Sequence, residues 1–363
     1  MEYLEKMKTI QNAILEYLDD EREQIFDELS SLLNDQKDIH ELKSILYLIS
    51  KICQNHHHGP FFFNKIKTIL NILKMEVNQC FSNIEIFNIF KSNKRILLLL
   101  IDESILTVDS VISEKLKIYE DYFYPEIKKF NQTTSNDEQI NELTENFVEK
   151  RRIGENDRYL CELIRNDIIE DFITNYTKNL FLLTDQISSS IFETNPFLIH
   201  KEPTLIEYSL FFGSIQILRF LLQNGVVLNS SSWLYAIHGH NPEIIHILES
   251  EKILPDDETY EECLKESIKC HHNDFAHYIK DNLLKKQVNH NNKEDGNNVL
   301  EYLYDEVFYG FQSYNFDFIA EDLLAEPIYF FYAVDFGYFK LVDYIKNKAK
   351  LDVNQLIIEK KFF

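Results

Sequence analysis

Glycine is scarce in this sequence, 8 residues in 363, and positive charge is outweighed, with 37 lysines and arginines against 60 aspartates and glutamates. No GxxxxGK[ST] or GxGxxG loop is present to cradle a phosphate, and no GxSxG elbow to expose a nucleophilic serine. The net charge of −23 repels phosphate backbones and anionic lipid, which excludes nucleic acid and membrane surfaces as expected partners. Apolar runs are short as well. The stretch "ILLLLI" at 96–101 is flanked by Lys94, Arg95, Asp102 and Glu103, so it reads as a buried core helix, far below the roughly 18 residues of a membrane span. The opening "MEYLEKMK" lacks the pattern of a secretory signal, and the five cysteines are odd in number and scattered, so reduced thiols in the cytoplasm are expected.

Apolar material is ample, at 45% hydrophobic and 13% aromatic residues, as a folded chain requires. Its spacing is helical. Ile14, Tyr17, Leu18, Ile25, Leu29, Leu32 and Leu33 recur at three- and four-residue intervals, and the pattern resumes through Leu42, Ile45, Leu46, Ile49 and Ile52. Strand-like alternation is rare. Residues 1–125 read as an N-terminal run of helices, 126–150 as a polar linker or loop around "NQTTSNDEQINELTEN", and 151–363 as a region of helical units with a polar insertion at 285–298.

The few glycines are placed with a pattern. In "TLIEYSLFFGSIQILRFLLQNGVVLN", residues 204–229, Gly213 and Gly225 each stop an apolar helical run. Laying Ser209, Gly213, Ile217, Leu218 and Leu221 on Ala236, His240, Ile244, Ile245 and Leu248 keeps the apolar positions in register. Ser267, Phe275, Ala276 and Ile279 follow, and then Ala333, Gly337, Leu341, Val342 and Ile345. Each unit has a small residue in its first helix, a break four residues later, and a second helix with an apolar stripe. The small residue lets two helices approach closely, and a glycine closes a helix in the left-handed conformation. In the second unit Asn241 and Pro242 provide a helix start instead. Weaker echoes stand at 90–109 and 161–173.

This skeleton resembles the ankyrin repeat, with Thr204, Ser209, Gly213, Ile217, Leu221, Leu222, Gly225 and Asn229 at pattern positions; Leu205 and Glu207 replace the proline and histidine of its Thr-Pro-Leu-His start, and the 27-residue spacing is shorter than the usual repeat. The wording "PTLIEYSLFFGSIQILRFLLQNGV", "WLYAIHGHNPEIIHIL" and "ECLKESIKCHHNDFAHYIKDNLL" looks like a divergent, greatly expanded ankyrin-like family of unicellular parasites whose shared domain has no assigned function. The resemblance implies an all-α, helix-turn-helix solenoid and a non-catalytic protein-binding scaffold or adaptor. By register, recognition on its concave face falls to Phe211 and Phe212, His238 and Gly239, Lys269 and Cys270, and Asp335 and Phe336, positions expected to be solvated.

Histidines form the most conspicuous chemical signal: His56, His57 and His58 after Cys53; His238, His240 and His246; and Cys270, His271, His272 and His277. None has the paired spacing of a structural zinc motif. Register gives them structural places, His240 and His271 in the inter-helix break and His246 and His277 in the second helix. The expectation is therefore no metal, no cofactor and no catalytic residue, with an enzyme using a histidine cluster, with or without a metal, as the alternative.

Overall fold

The computed structural model describes residues 2–20, 23–34, 38–59, 61–134, 145–284, 298–319, 324 and 326–348. Among these, every regular element is helical and no strand forms; a single backbone bridge joins Gln186 and Thr204. No described helix is long and apolar enough to cross a membrane. All five cysteines are thiols.

The chain packs as two compact units. One comprises Met1–Lys51, His58–Met75 and Val288–Phe363, and the other Ile52–His57 and Glu76–Gln287. This division does not follow the linear partition expected from sequence, because the C-terminal helices belong with the N-terminal ones. Within the first unit α1 (Glu2–Asp19) packs on α2 (Glu23–Asn34). Leu4, Met7, Ile10, Ile14 and Leu18 are its buried stripe. Gln11 interrupts the stripe and is fully buried, yet satisfied: its amide donates to Asn315 Oδ1 at 3.0 Å and its carbonyl accepts the Phe316 amide at 2.7 Å. The helices α3 (Ile39–Asn55) and α4 (Phe62–Cys80) contribute to both units.

In the second unit α5 (Asn83–Phe90) and α6 (Lys94–Asp102) form the first helix pair, followed by α7 (Ser110–Leu116), α8 (Glu120–Thr134) and α9 (Glu145–Ile153). Residues 96–100 of α6 are all buried, as the flanked apolar run implies. The expected polar linker at 126–150 is helical at both ends: 126–134 belong to α8 and 145–150 to α9. Arg151 accounts for this order, since its guanidinium makes two hydrogen bonds to Glu126, at 3.1 and 2.7 Å, and joins the two helices. Residues 135–144 lie outside the described residues, as do 285–297 of the expected insertion.

Four helix pairs then succeed one another: α10 (Tyr159–Arg165) with α11 (Ile169–Thr177), α12 (Leu205–Phe211) with α13 (Ile215–Gln223), α14 (Ser232–Gly239) with α15 (Pro242–Ser250), and α16 (Glu261–Cys270) with α17 (Asn273–Tyr278). The first helices pack in succession, α10 on α12, α12 on α14 and α14 on α16. Their small residues Ser209, Ala236 and Ser267 are completely buried, and the two serine hydroxyls bond back to Leu205 O and Cys263 O, both at 2.8 Å.

A left-handed residue follows each first helix: Asp167, Gly213, His240 and His271. The next amide then reaches back to the carbonyl five residues earlier, Ile168 to Leu163 at 2.9 Å, Ser214 to Ser209 at 2.9 Å and His272 to Ser267 at 3.0 Å. This closure satisfies carbonyls the helix end would otherwise leave bare. The second helices end the same way, with Asn179, Gly225 and Lys252 left-handed.

In the first unit α18 (Asn298–Ser313) precedes the pair α19 (Pro327–Asp335) and α20 (Phe339–Lys348). Gly337 is left-handed there, and the Tyr338 amide returns to Ala333 O at 2.7 Å.

Candidate functional site

The turns that close α14 and α16 carry histidine at the left-handed position, with φ of 46° at His240 and 59° at His271. Short polar side chains tolerate this region better than branched ones. His246 and His277, one helix on, are exposed. These four stand where the register put them.

The sequence does not disclose what the turn brings together. His272, the residue before α17, points back at the neighbouring pair and donates its Nδ1 proton to Ile237 O at 2.9 Å. His56, at the end of α3, does the same toward Cys270 O at 2.9 Å. Each bond has a carbonyl as its partner, which only accepts, so each ring carries a proton on Nδ1. His57 Nδ1 lies 3.3 Å from His272 Nε2. His240 stacks face to face on His272, with centroids 4.0 Å apart and planes 6° from parallel, and its Nε2 lies 3.0 and 3.2 Å from the Asp274 carboxylate oxygens. Burial, and then the neighbouring imidazoles of His240, His56, His57 and His238, hold the His272 pKa well below the usual histidine value. His272 is therefore neutral at pH 7.

A second buried group lies beside it. His238 Nε2 is 2.8 Å from Glu266 Oε1, and its Nδ1 is 3.5 Å from Cys270 Sγ. Lys269 Nζ adds a 2.8 Å contact to the same carboxylate oxygen. Burial alone would raise the Glu266 carboxyl, but His238 and Lys269 outweigh it and bring it to about 2. The order thiol, imidazole, carboxylate is that of a cysteine nucleophile and its base. Burial and the Glu266 charge nevertheless push the Cys270 thiol well up, and it is fully enclosed, so it reads as an inert structural thiol.

Several residues expected on a solvated concave face are covered by the chain itself. Phe211 is 7% exposed, His238 2% and Cys270 0%. For Phe211 and His238 the reason is the segment before α12. Phe197 stacks on Phe211 with centroids 5.7 Å apart, touches His238 at 4.3 Å and meets Tyr235 edge-on at 5.1 Å, while Lys201 Nζ sits 3.3 Å over the Phe197 ring. Phe197 is held there by a relay: Glu193 accepts the Asn195 amide and Asn195 Oδ1 accepts the Phe197 amide, both at 2.9 Å. Phe212, Gly239 and Lys269 are half-buried. Asp335, exposed, and Phe336, half-buried beside Phe308, belong to the other unit.

No family model, no curated protein and no solved structure matches this chain.

Proposed function

We propose that the chain is a non-catalytic, cytoplasmic scaffold that binds other proteins, its helix pairs being ankyrin-like units of a solenoid. The observation that carries this reading is the recurrence of one closure, at Gly213, His240 and His271 after the first helices and at Gly225 and Lys252 after the second, with α12, α14 and α16 packed in order. A stack of such units offers an extended surface that a compact core of the same size does not. The absence of phosphate-binding loops and the enclosed Cys270 both argue for binding over catalysis.

Because Phe197 covers Phe211 and His238, recognition is assigned to the edge formed by the loops after the second helices. Val227 is 78% exposed and Leu254 49%. Their loops adjoin through the Ser230–Asp256 hydrogen bond and through Trp233 Nε1, which donates to Ile253 O at 2.8 Å. Leu180 and Leu182 are exposed after α11, the preceding second helix. The same edge carries exposed Glu251, Asp256 and Glu258, so the fitting partner is a protein surface combining apolar and basic side chains. Hydrogen exchange on the full chain, alone and with a protein captured from its native cell, tests the assignment. Protection confined to 178–182, 224–231 and 251–260 is expected; a footprint elsewhere would refute it.

A further inference from the structure

We propose that His56, His57 and His272 form a binding site for one divalent transition-metal ion, of which zinc is the best match. This goes beyond the scaffold reading and is independent of it. One ring nitrogen from each of the three residues lies within 4.8 Å of the others, although His57 and His272 are 215 positions apart in sequence. Sequence spacing shows no such site because the ligands come from the end of α3 and from the turn between α16 and α17.

Two features of the geometry bear on a metal. A tetrahedral ion with bonds of about 2.0–2.1 Å separates adjacent ligand nitrogens by about 3.3–3.4 Å. The 3.3 Å between His57 Nδ1 and His272 Nε2 is such an edge. The Nδ1–H bonds of His56 to Cys270 O and of His272 to Ile237 O are the outer contacts that fix a ligating imidazole's tautomer and aim its Nε2 lone pair. With His57 as the third ligand its proton resides on Nε2, leaving the Nδ1 lone pair directed at the ion.

An all-imidazole donor set suits zinc, copper, nickel and iron over magnesium or calcium. Three protein ligands leave a fourth position, and His57, only half-buried, is the side from which water reaches it. His240 is not a ligand in this arrangement: it stacks flat against His272, with its Nε2 turned to Asp274. The bound ion ties 52–57 to the turn after α16.

The full-length protein, stripped with a chelator and dialysed, is titrated with zinc by calorimetry and with cobalt(II) by visible absorption. One ion per chain is expected, with the intense bands of four-coordinate cobalt and no sulfur-to-metal charge-transfer band. His57→Ala, at a half-buried position, is expected to weaken zinc binding by more than about a hundredfold, beyond the loss typical of an outer contact. His272→Ala is expected to do the same, and His246→Ala, an exposed change on α15, to leave binding intact. Stoichiometry far from one, or unaltered binding by folded His57→Ala, would overturn the site. A thiolate charge-transfer band would also overturn it, by placing the ion on Cys270 with His238 and Glu266.

Discussion

Gly239 in α14 faces the Leu210 carbonyl oxygen of α12 so closely that any Cβ on it would collide with that oxygen, and would stand 3.0 Å from the Gly213 amide nitrogen. Both obstacles are backbone, which cannot swing aside as a side chain does. Gly239→Ala should therefore force the two first helices apart and cost about 2–4 kcal/mol, at the upper end of overpacking losses. Urea unfolding measures it, and a midpoint equal to wild type would show that α12 and α14 are farther apart than described.

Ala236, one turn earlier and completely buried, tests the same contact with a side chain. Ala236→Leu should cost about 1–3 kcal/mol. Ser209→Ala serves as the contrast, because its hydroxyl bonds only within its own helix, to Leu205 O, and its loss should cost less than about 1.5 kcal/mol. Equal losses for the two would remove packing as the reason for small residues at this position.

Phe211 lies against Phe197 and His238 and is expected to behave as a core residue. Phe211→Ser should destabilise by about 3 kcal/mol or more, as large-to-small core changes do. Phe197→Ala should destabilise less, since Phe197 is half-buried, and should raise the exchange rates of the amides around His238. A loss within about 1 kcal/mol for Phe211→Ser would return that residue to the surface and to the recognition face.

Much of the helical skeleton was legible because it rests on local rules. Left-handed closure asks for glycine or a tolerant polar residue at one position, and three- to four-residue spacing marks each buried stripe, so Ser209, Gly213, Ile217 and Leu221 disclosed their places. What covers those helices was not legible. Phe197 and Lys201 sit in an irregular segment with no period, held by the Glu193–Asn195–Phe197 relay, and nothing in their spacing says that they fold over α12 and α14. The histidines were visible as clusters, but their convergence depends on a tertiary contact between His57 and His272. The same holds for 126–134 of α8 and 145–150 of α9, whose polar sequence reads as linker until Arg151 meets Glu126.

Glu193 makes stability depend on pH. Burial pushes its carboxyl up to about 7, the amides of Asn195 and Asn156 and the charge of Arg165 lowering it only in part while Glu155 raises it further. The folded protein thus holds this proton more tightly than the unfolded chain, and the associated stability is complete below the ordinary glutamate pKa and lost as pH rises through 7. The loss is up to roughly 3 kcal/mol, from 1.36 kcal/mol per pKa unit. His238 and His272, with depressed pKa values, act in the opposite sense on acidification, so the difference between wild type and Glu193→Gln isolates the carboxyl. Unfolding free energies at pH 5 and pH 8 should show the variant gaining on wild type at the higher pH. A difference independent of pH would contradict the buried, proton-holding carboxyl.

The scaffold reading is tested most directly by quantitative capture of partner proteins from the native cell, comparing wild type with Val227→Asp combined with Leu254→Asp. Both side chains are exposed, so circular dichroism and unfolding free energy should stay within about 1 kcal/mol of wild type. Specific partners should fall at least tenfold, because carboxylates there remove the apolar contact. Undiminished capture of the same partners by the folded double variant would contradict recognition through this edge.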